Sequence, residues 1–394
     1  MGQSIHRLSV VSQVAGPVLR QLLEDLAAQG IEPELLAGWL DAEAGEAVPF
    51  RWRRSCPLRK SPPWRRLWTW AWFTAAAKWF LAFRRRRPAL LVTNPPWVLL
   101  AAPWLRTLLG LPYVLLVYDV YPDVLERMNL LRGGGLLSRL WKRWSRQAML
   151  RARGVVTLGP HMARALRAHL RPGDEVAIEA IPNWADTDFI RPMPRAQNAF
   201  AREHGLTNKF VVMYSGSLGA THDLDSIALA AETLRDLSDV RFVIIGGGTR
   251  RRDLEELVAR KALSNLLLLP LQPYAVLPQS LAAADCAIVC LEDAYAGISM
   301  PSKTYTMMAA GAAILGVGPE DSELADVVRD FACGLHVRPK DPGALAAAIR
   351  RLHANRGELE AMKLAARRAA EEHFSRPTAG ARYVEFIRRA FGWE

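Results

Sequence analysis

Phe210-Val-Val-Met-Tyr-Ser-Gly-Ser-Leu-Gly219 decides how the rest of this chain reads. Five apolar residues in succession suit a strand buried on both faces, and a glycine-bearing turn then leads into a helical pattern at 224–237. A buried strand that turns directly into a helix opens a βαβ unit, and such units build parallel sheets. The glycines let backbone amides approach an anion, and a helix N-terminus adds partial positive charge. A turn chosen for geometry alone has the same residues, so this loop by itself leaves both readings open.

The alternation continues in both directions. Downstream, strands at 241–245, 266–269, 287–291, 313–317 and 335–337 alternate with helices at 251–262, 277–283, 302–310 and 322–330. Helices at 343–352, 359–372 and 377–391 close the chain. Upstream, strands at 8–14, 34–37, 89–93, 113–117, 155–158 and 177–181 alternate with helices at 18–29, 97–109, 136–150 and 162–169. The stretch 188–197, holding Arg191-Pro-Met-Pro194, reads as a linker. A chain of 394 residues exceeds one ordinary core. The expectation is two Rossmann-like α/β domains, 1–190 and 198–374, with a terminal helix at 375–394. In such sheets ligands bind beyond the carboxyl ends of the strands, here expected in the cleft between the halves.

Charge is concentrated in one place. Between Glu46 and Asp119 there is no acidic residue, yet thirteen Lys and Arg stand there, interleaved with eight Trp. The net charge of +12 is therefore almost wholly local. Indole and guanidinium together favour a lipid headgroup boundary. Trp64, Trp68, Trp72, Trp79, Arg84 and Arg85, within the segment 51–88, are the candidate membrane contacts. The run 67–83 is near a bilayer's minimum span but contains Lys78, so an interfacial helix fits better than a crossing one. The first residues lack a signal peptide's basic and apolar regions. Four sparse cysteines, two of them in one apolar run, indicate buried thiols in a reducing compartment and no metal site. The expected location is the cytoplasmic face of a membrane.

Further strand-end loops carry chemistry. Ile245-Gly-Gly-Gly-Thr249 lacks the full dinucleotide spacing and reads as a tight turn, with Gly247 and Arg250 as candidate phosphate contacts. Gln272 and Pro273 lie in a proline-held loop with free amide edges that suits a nucleobase or a plain connection. Met300-Pro-Ser-Lys-Thr-Tyr305 opens a helix: Pro301 fits its first turn, Ser299 or Ser302 can cap it, and Lys303 stands at the same end. A lysine there opposes the helix dipole and makes most sense with a bound anion. In the first half, Asp119-Val-Tyr-Pro-Asp123 directly follows a strand, so Asp119 and then Asp123 could orient or deprotonate a hydroxyl, or simply cap a turn.

These motifs, with Ile181-Pro-Asn-Trp-Ala-Asp186, Leu271-Gln-Pro-Tyr274, Ala282-Ala-Ala-Asp285 and Ala309-Ala-Gly311, resemble family 4 glycosyltransferases, and most nearly the branch that builds colanic acid and O-antigen-type polysaccharides. Thr93-Asn-Pro-Pro96 adds a weaker match in the first half. The resemblance implies a GT-B fold, a final helix crossing back to the first domain, transfer with retention, and no cofactor or essential metal. It also implies a nucleotide-sugar donor, commonly a UDP-sugar, on the second domain. The acceptor, a polyprenyl-diphosphate-linked or other saccharide, falls on the first. Carried onto this chain, donor contacts fall at Gly216, Ser217, Gly219, His222, Gly247, Arg250, Gln272, Pro273, Ser302, Thr304, Tyr305 and Thr306. Acceptor-side contacts fall at Gly16 and Asn94, and catalytic roles at Asp119, Asp123 and Lys303.

Departures stand beside this. Ser217 and His222 occupy places where many members have Arg and Lys, and Thr306 replaces a ribose-binding glutamate. Other classes weighed are a sugar-nucleotide epimerase on the same fold, a non-catalytic sugar-nucleotide binder, and a nucleic-acid-binding protein using the basic block. No recognised nucleic-acid motif accompanies that block, so no nucleic-acid partner is expected.

Overall fold

The computed structural model describes residues 6–42, 46–59, 62–84, 86–219 and 223–393. Arg85 and His222, both named above, lie outside the described residues. The chain divides into two compact units, Met1–Pro182 with Pro377–Glu394, and Asn183–Arg376.

The first unit holds strands β1 (His6–Val11), β2 (Ile31–Ala37), β3 (Arg51–Arg54), β4 (Ala89–Val92), β5 (Tyr113–Val117), β6 (Gly154–Thr157) and β7 (Ile178–Ala180). They form one parallel sheet in the order β3-β2-β1-β4-β5-β6-β7. Its helices are α1 (Pro17–Ala28), α2 (Pro63–Ala82), α3 (Trp97–Leu109), α4 (Asp123–Arg127), α5 (Leu136–Arg151) and α6 (Pro160–Arg167). In the second unit, β8 (Phe210–Ser215), β9 (Val240–Ile245), β10 (Leu266–Leu269), β11 (Cys286–Cys290), β12 (Ala313–Val317) and β13 (Gly334–Val337) form a parallel sheet in the order β10-β9-β8-β11-β12-β13. Its helices are α7 (Ala199–Glu203), α8 (Leu224–Thr233), α9 (Arg251–Arg260), α10 (Leu277–Ala282), α11 (Lys303–Ala309), α12 (Glu323–Asp330), α13 (Pro342–Ala354) and α14 (Arg356–Glu372).

In each unit the order reverses beside its first strand, between β1 and β4 and between β8 and β11. Diverging connections there leave a crevice at the carboxyl ends. The central strands are fully buried because helices cover both faces, which is why they read as unbroken apolar runs. The last helix, α15 (Arg376–Phe391), belongs to the first unit. Phe386 approaches Gly154 so closely that a Cβ there would stand 2.6 Å from the ring, and Arg382 donates to the Ala180 carbonyl. The helix therefore crosses back, as the resemblance implies.

Some boundaries differ from the sequence reading. β1 stops at Val11, because Val14–Ala15 leaves the main sheet to pair with Trp39–Leu40. The stretch 188–197 is not a free linker. Arg195 pairs with Asp285 at 2.8 Å and donates to the Leu206 and Lys209 carbonyls, fixing it to the second unit. β3, inside the basic block, was not expected. It is an exposed edge strand, and its sequence Arg-Trp-Arg-Arg carries no apolar alternation; charge on an edge is what keeps it from pairing with another chain.

The two faces of α2 differ. Trp70, Phe73, Ala77, Phe80 and Leu81 are buried, whereas Trp64, Trp68, Trp72, Trp79 and the following Phe83 are exposed by 59–78%. At about 100° per residue the exposed five fall within about a third of the helix circumference. No described helix is long and apolar enough to cross a membrane. Arg84 does not stand with the indoles. Its side chain is nearly buried and pairs with Glu34, which also binds Arg87 at 2.8 Å and Arg53 at 3.0 Å. Arg84 is thus a structural clamp on β2, not a headgroup contact.

Candidate functional site

The loops at the β8/β11 reversal meet on Lys303. Gly216, at φ +145°, carries the chain from β8 past the lysine: a Cβ there would stand 3.4 Å from Lys303 Nζ. The ammonium lies 3.9 Å from the centroid of the Tyr214 ring, a cation–π contact. Tyr214 is itself fixed by donating from its hydroxyl to the Ser217 carbonyl at 2.7 Å. Lys303 Nζ is buried and has no hydrogen-bond partner among the described residues. Burial penalises the charged form and brings its pKa down to about 8.

The loop after β9 locks against the same turn. Gly216 N donates to the Ile245 carbonyl and Leu218 N to the Gly247 carbonyl, both at 2.9 Å, and Arg250 N returns to Leu218 O at 3.0 Å. Gly246 and Gly248 both have φ +156°, and a Cβ at Gly246 would fall 1.9 Å from the Gly216 carbonyl oxygen. Only glycine permits this approach. Gly247, by contrast, is open to solvent, with nothing within 4 Å of where a Cβ would stand. The result is a rigid cradle of exposed Ser217, half-buried Gly219 and open Gly247 beside an unpaired ammonium.

Other residues named from sequence fall elsewhere. Thr304 is wholly buried and donates to the Pro301 carbonyl at 2.7 Å; Tyr305 is 2% exposed and packs its ring on Phe374. Neither can touch a ligand, because the short helix α11 turns them toward the core. Ser302 makes no side-chain cap. Thr306 is half-buried and donates to the Lys303 carbonyl. Arg250 pairs with Asp225 at 3.0 Å and Asp253 at 3.5 Å, so its charge is already committed. Arg251 instead supports the cradle from behind, donating to the Gly246 and Leu269 carbonyls. Gln272 donates to Pro270 O and Pro273 is exposed, beside Tyr274, whose ring stacks on Phe189. The sequence reading missed Glu292, the first acid after β11. Burial, and Asp223 nearby, raise its pKa, while Lys340 and Arg250 pull it down by less. Its signal in the sequence was an acid directly after a buried strand.

In the first unit, Gly16 and Asn94 follow β1 and β4 at that sheet's reversal. Gly16 caps α1 with extended backbone and open space where a Cβ would stand; the Asn94 carbonyl accepts from Gln13 N at 2.6 Å. Asp119, half-buried, follows β5. Asp123 is engaged: Lys142 Nζ lies 3.4 Å away and His169 Nε2 2.7 Å away. Burial pushes the Asp123 carboxyl up, but His169 and Lys142 outweigh it and hold the group below its usual range. A carboxylate so stabilised is a weak proton acceptor, which leaves Asp119 as the better candidate. His169, at the end of the helix expected at 162–169, is this buried partner.

Comparison with known proteins gives two matching family models. The one described as Glycosyltransferase Family 4 covers residues 15–189, and the one described as Glycosyl transferases group 1 covers 196–369. WbjE of Pseudomonas aeruginosa, a glycosyltransferase by name, is 30% identical over 64% of this chain and 62% of its own length. WcaI of Escherichia coli (strain K12), by name a colanic acid biosynthesis glycosyl transferase, is 28% identical over 64% and 63%. The chain thus matches less than two thirds of the length of either relative. Anabaena HepE, solved in complex with UDP-glucose, superposes with a TM-score of 0.74 at 15% identity, covering 97% of this chain and 99% of that one. With a GT-B fold of two parallel-sheet units, and a family model on each, the chain belongs to the family 4 glycosyltransferases.

Proposed function

We propose that the protein is a retaining glycosyltransferase of cell-surface polysaccharide biosynthesis. It moves a hexosyl-type sugar from a nucleoside-diphosphate sugar, a UDP-sugar first, to a lipid-linked saccharide. One observation carries the donor assignment: a buried ammonium without a partner, Lys303, beside backbone amides that only glycines let close. In the transfer, the bond between C1 of the sugar and the diphosphate oxygen breaks, and its electron pair leaves on the diphosphate. Charge develops where Lys303 Nζ and the Ser217 and Gly219 amides stand, which is where preorganised donors lower a barrier. The acceptor oxygen bonds to C1 and gives up its proton, for which Asp119 is the candidate sink. Positive charge for the leaving group then comes from the chain itself, so no metal need be recruited.

UDP is favoured because HepE, which shares the fold, was solved with UDP-glucose. The polysaccharide setting follows WbjE and WcaI, and the lipid-linked acceptor follows the indole face of α2, placed by this reading on the cytoplasmic leaflet. Incubating the purified protein with a panel of nucleotide sugars and polyprenyl-diphosphate saccharides tests the proposal. Transfer of one sugar with retained configuration is expected; neither transfer nor donor hydrolysis with any pair would sink it.

A further inference from the structure

Helices α2, α3 and α5 enclose an open groove of about 390 Å³ in the first unit. Its walls are apolar: Trp97, Leu100, Trp104, Leu137, Leu140 and Trp144 line it, and no acidic residue does. Leu137, Leu140 and Trp104 are 60, 47 and 55% exposed, a large apolar area to leave in water. Two buried polar atoms in the same walls have no hydrogen-bond partner among the described residues. They are Thr74 Oγ1, on a residue only 8% exposed, and Trp141 Nε1. Both can donate, and Lys78, one helical turn beyond Thr74, adds an exposed ammonium to the same lining. Unpaired buried donors are rare unless something accepts from them. An apolar trough with a hydroxyl, an indole N–H and an ammonium at hand suits an amphiphile with an anionic oxygen-rich head and an oily tail.

We propose that this groove binds the lipid carrier of the acceptor, a single prenyl-type chain bearing a diphosphate. The proposal rests on the transferase reading and gives its acceptor a seat. Two observations favour a single-chain carrier over bulk phospholipid. The space suits one chain segment, not two side by side. The groove also abuts the candidate catalytic loop, because the Trp141 ring stacks on Tyr121 at 6.1 Å and Tyr121 lies between Asp119 and Asp123. The head therefore settles next to the loop, and the tail runs out between Trp104 and Leu140 toward solvent.

Titrating the full chain with farnesyl diphosphate tests this, since the groove's indoles report occupancy by fluorescence. Saturable quenching is expected. Leu140→Glu, an exposed position, should abolish it, and Thr74→Val or Lys78→Gln should weaken it about tenfold, while UDP binding stays unchanged in all three. Farnesol or inorganic pyrophosphate should bind at least tenfold more weakly than farnesyl diphosphate. Equal binding by farnesol, unaltered binding in Leu140→Glu, or displacement by phosphatidylglycerol vesicles at equal lipid concentration would overturn the proposal. Farnesyl diphosphate binding without transfer to any lipid-linked saccharide would leave the groove standing and sink the transferase reading. Transfer by a protein whose Leu140→Glu variant has an unchanged acceptor KM would do the reverse.

Discussion

Lys303→Met separates a ligand-binding lysine from a structural one. Methionine, one atom shorter, keeps an unbranched apolar stem and removes the charge together with its contact to the Tyr214 ring. In the folded protein the ammonium's pKa falls from its usual 10.5 to about 8 through burial. At about 1.4 kcal/mol per pKa unit, holding the proton costs the free protein about 3 kcal/mol at pH 7. The folded state binds fewer protons than the unfolded one between pH 8 and 10.5, so native stability climbs across that window relative to the variant. The variant should thus be more stable at pH 7, with unfolding shifted up by several degrees, given about 2–4 °C per kcal/mol for a unit this size. The same variant should lose UDP binding at least a hundredfold, because a charge-assisted contact to phosphate is removed from a site shielded from water. Thermal unfolding at pH 7 and at pH 10.5, with UDP titration by calorimetry, reads both. A variant that is less stable at pH 7, or that binds UDP normally, would refute the reasoning.

Titration of the same group predicts that UDP affinity in the native protein is flat below pH 7 and about tenfold weaker at pH 9, where about nine in ten copies of a group with pKa 8 are neutral. Calorimetry in buffers of differing ionisation heat should show proton uptake on binding near pH 8. Gly246→Ala should cost several kcal/mol and abolish UDP binding, since its Cβ would strike the Gly216 carbonyl from a left-handed backbone; denaturant unfolding of the variant is the check. Glu34 has its pKa held at about 2 by Arg84 first, then by Arg87 and Arg53, against burial. Its contribution of about 3 kcal/mol is complete above pH 4.5 and lost as pH falls toward 2, so Glu34→Gln should destabilise the protein at pH 7 and flatten that acid limb. Replacing Trp68 and Trp72 together by Gln should weaken binding to anionic vesicles about a thousandfold, at about 2 kcal/mol for each indole withdrawn, while UDP affinity holds.

The architecture was largely legible because parallel strands buried on both faces leave unbroken apolar runs, as at 113–117 and 286–290, with helices between them. β3 was not legible: an edge strand has one partner and no buried face, so nothing in Arg-Trp-Arg-Arg reports pairing. Lys303 could be singled out from its clash with the helix dipole, but the surroundings that make it unusual could not. Tyr214 and Gly216 lie some ninety residues upstream, and strand order alone brings them alongside. Thr304 and Tyr305 misled for a related reason. A seven-residue helix is too short for periodicity to say which side faces the core, so motif neighbours of Lys303 looked like ligands and are packing residues.

The acid-free stretch now divides by partner. Arg53, Arg84 and Arg87 converge on Glu34, a carboxylate outside the stretch that no motif or spacing connects with them. Arg84 and Arg87 are held down by the fold, and Glu34 offsets part of the cluster's charge whether or not anything binds. Lys303 is the opposite case. Its stem is equally enclosed and its helix end equally unfavourable to a cation, yet no carboxylate has been placed against it among the described residues. A purely structural lysine would either reach water with its ammonium or pair with an acid, and a methionine would fill the space at lower free energy. Selection for packing cannot account for the charge, whereas an anion supplied from outside turns both unfavourable contributions favourable at once. Thr74 and Trp141 repeat that pattern in the first unit with neutral donors in place of a lone cation, and their unpaired state is explained by the same kind of absent partner, a phosphate oxygen.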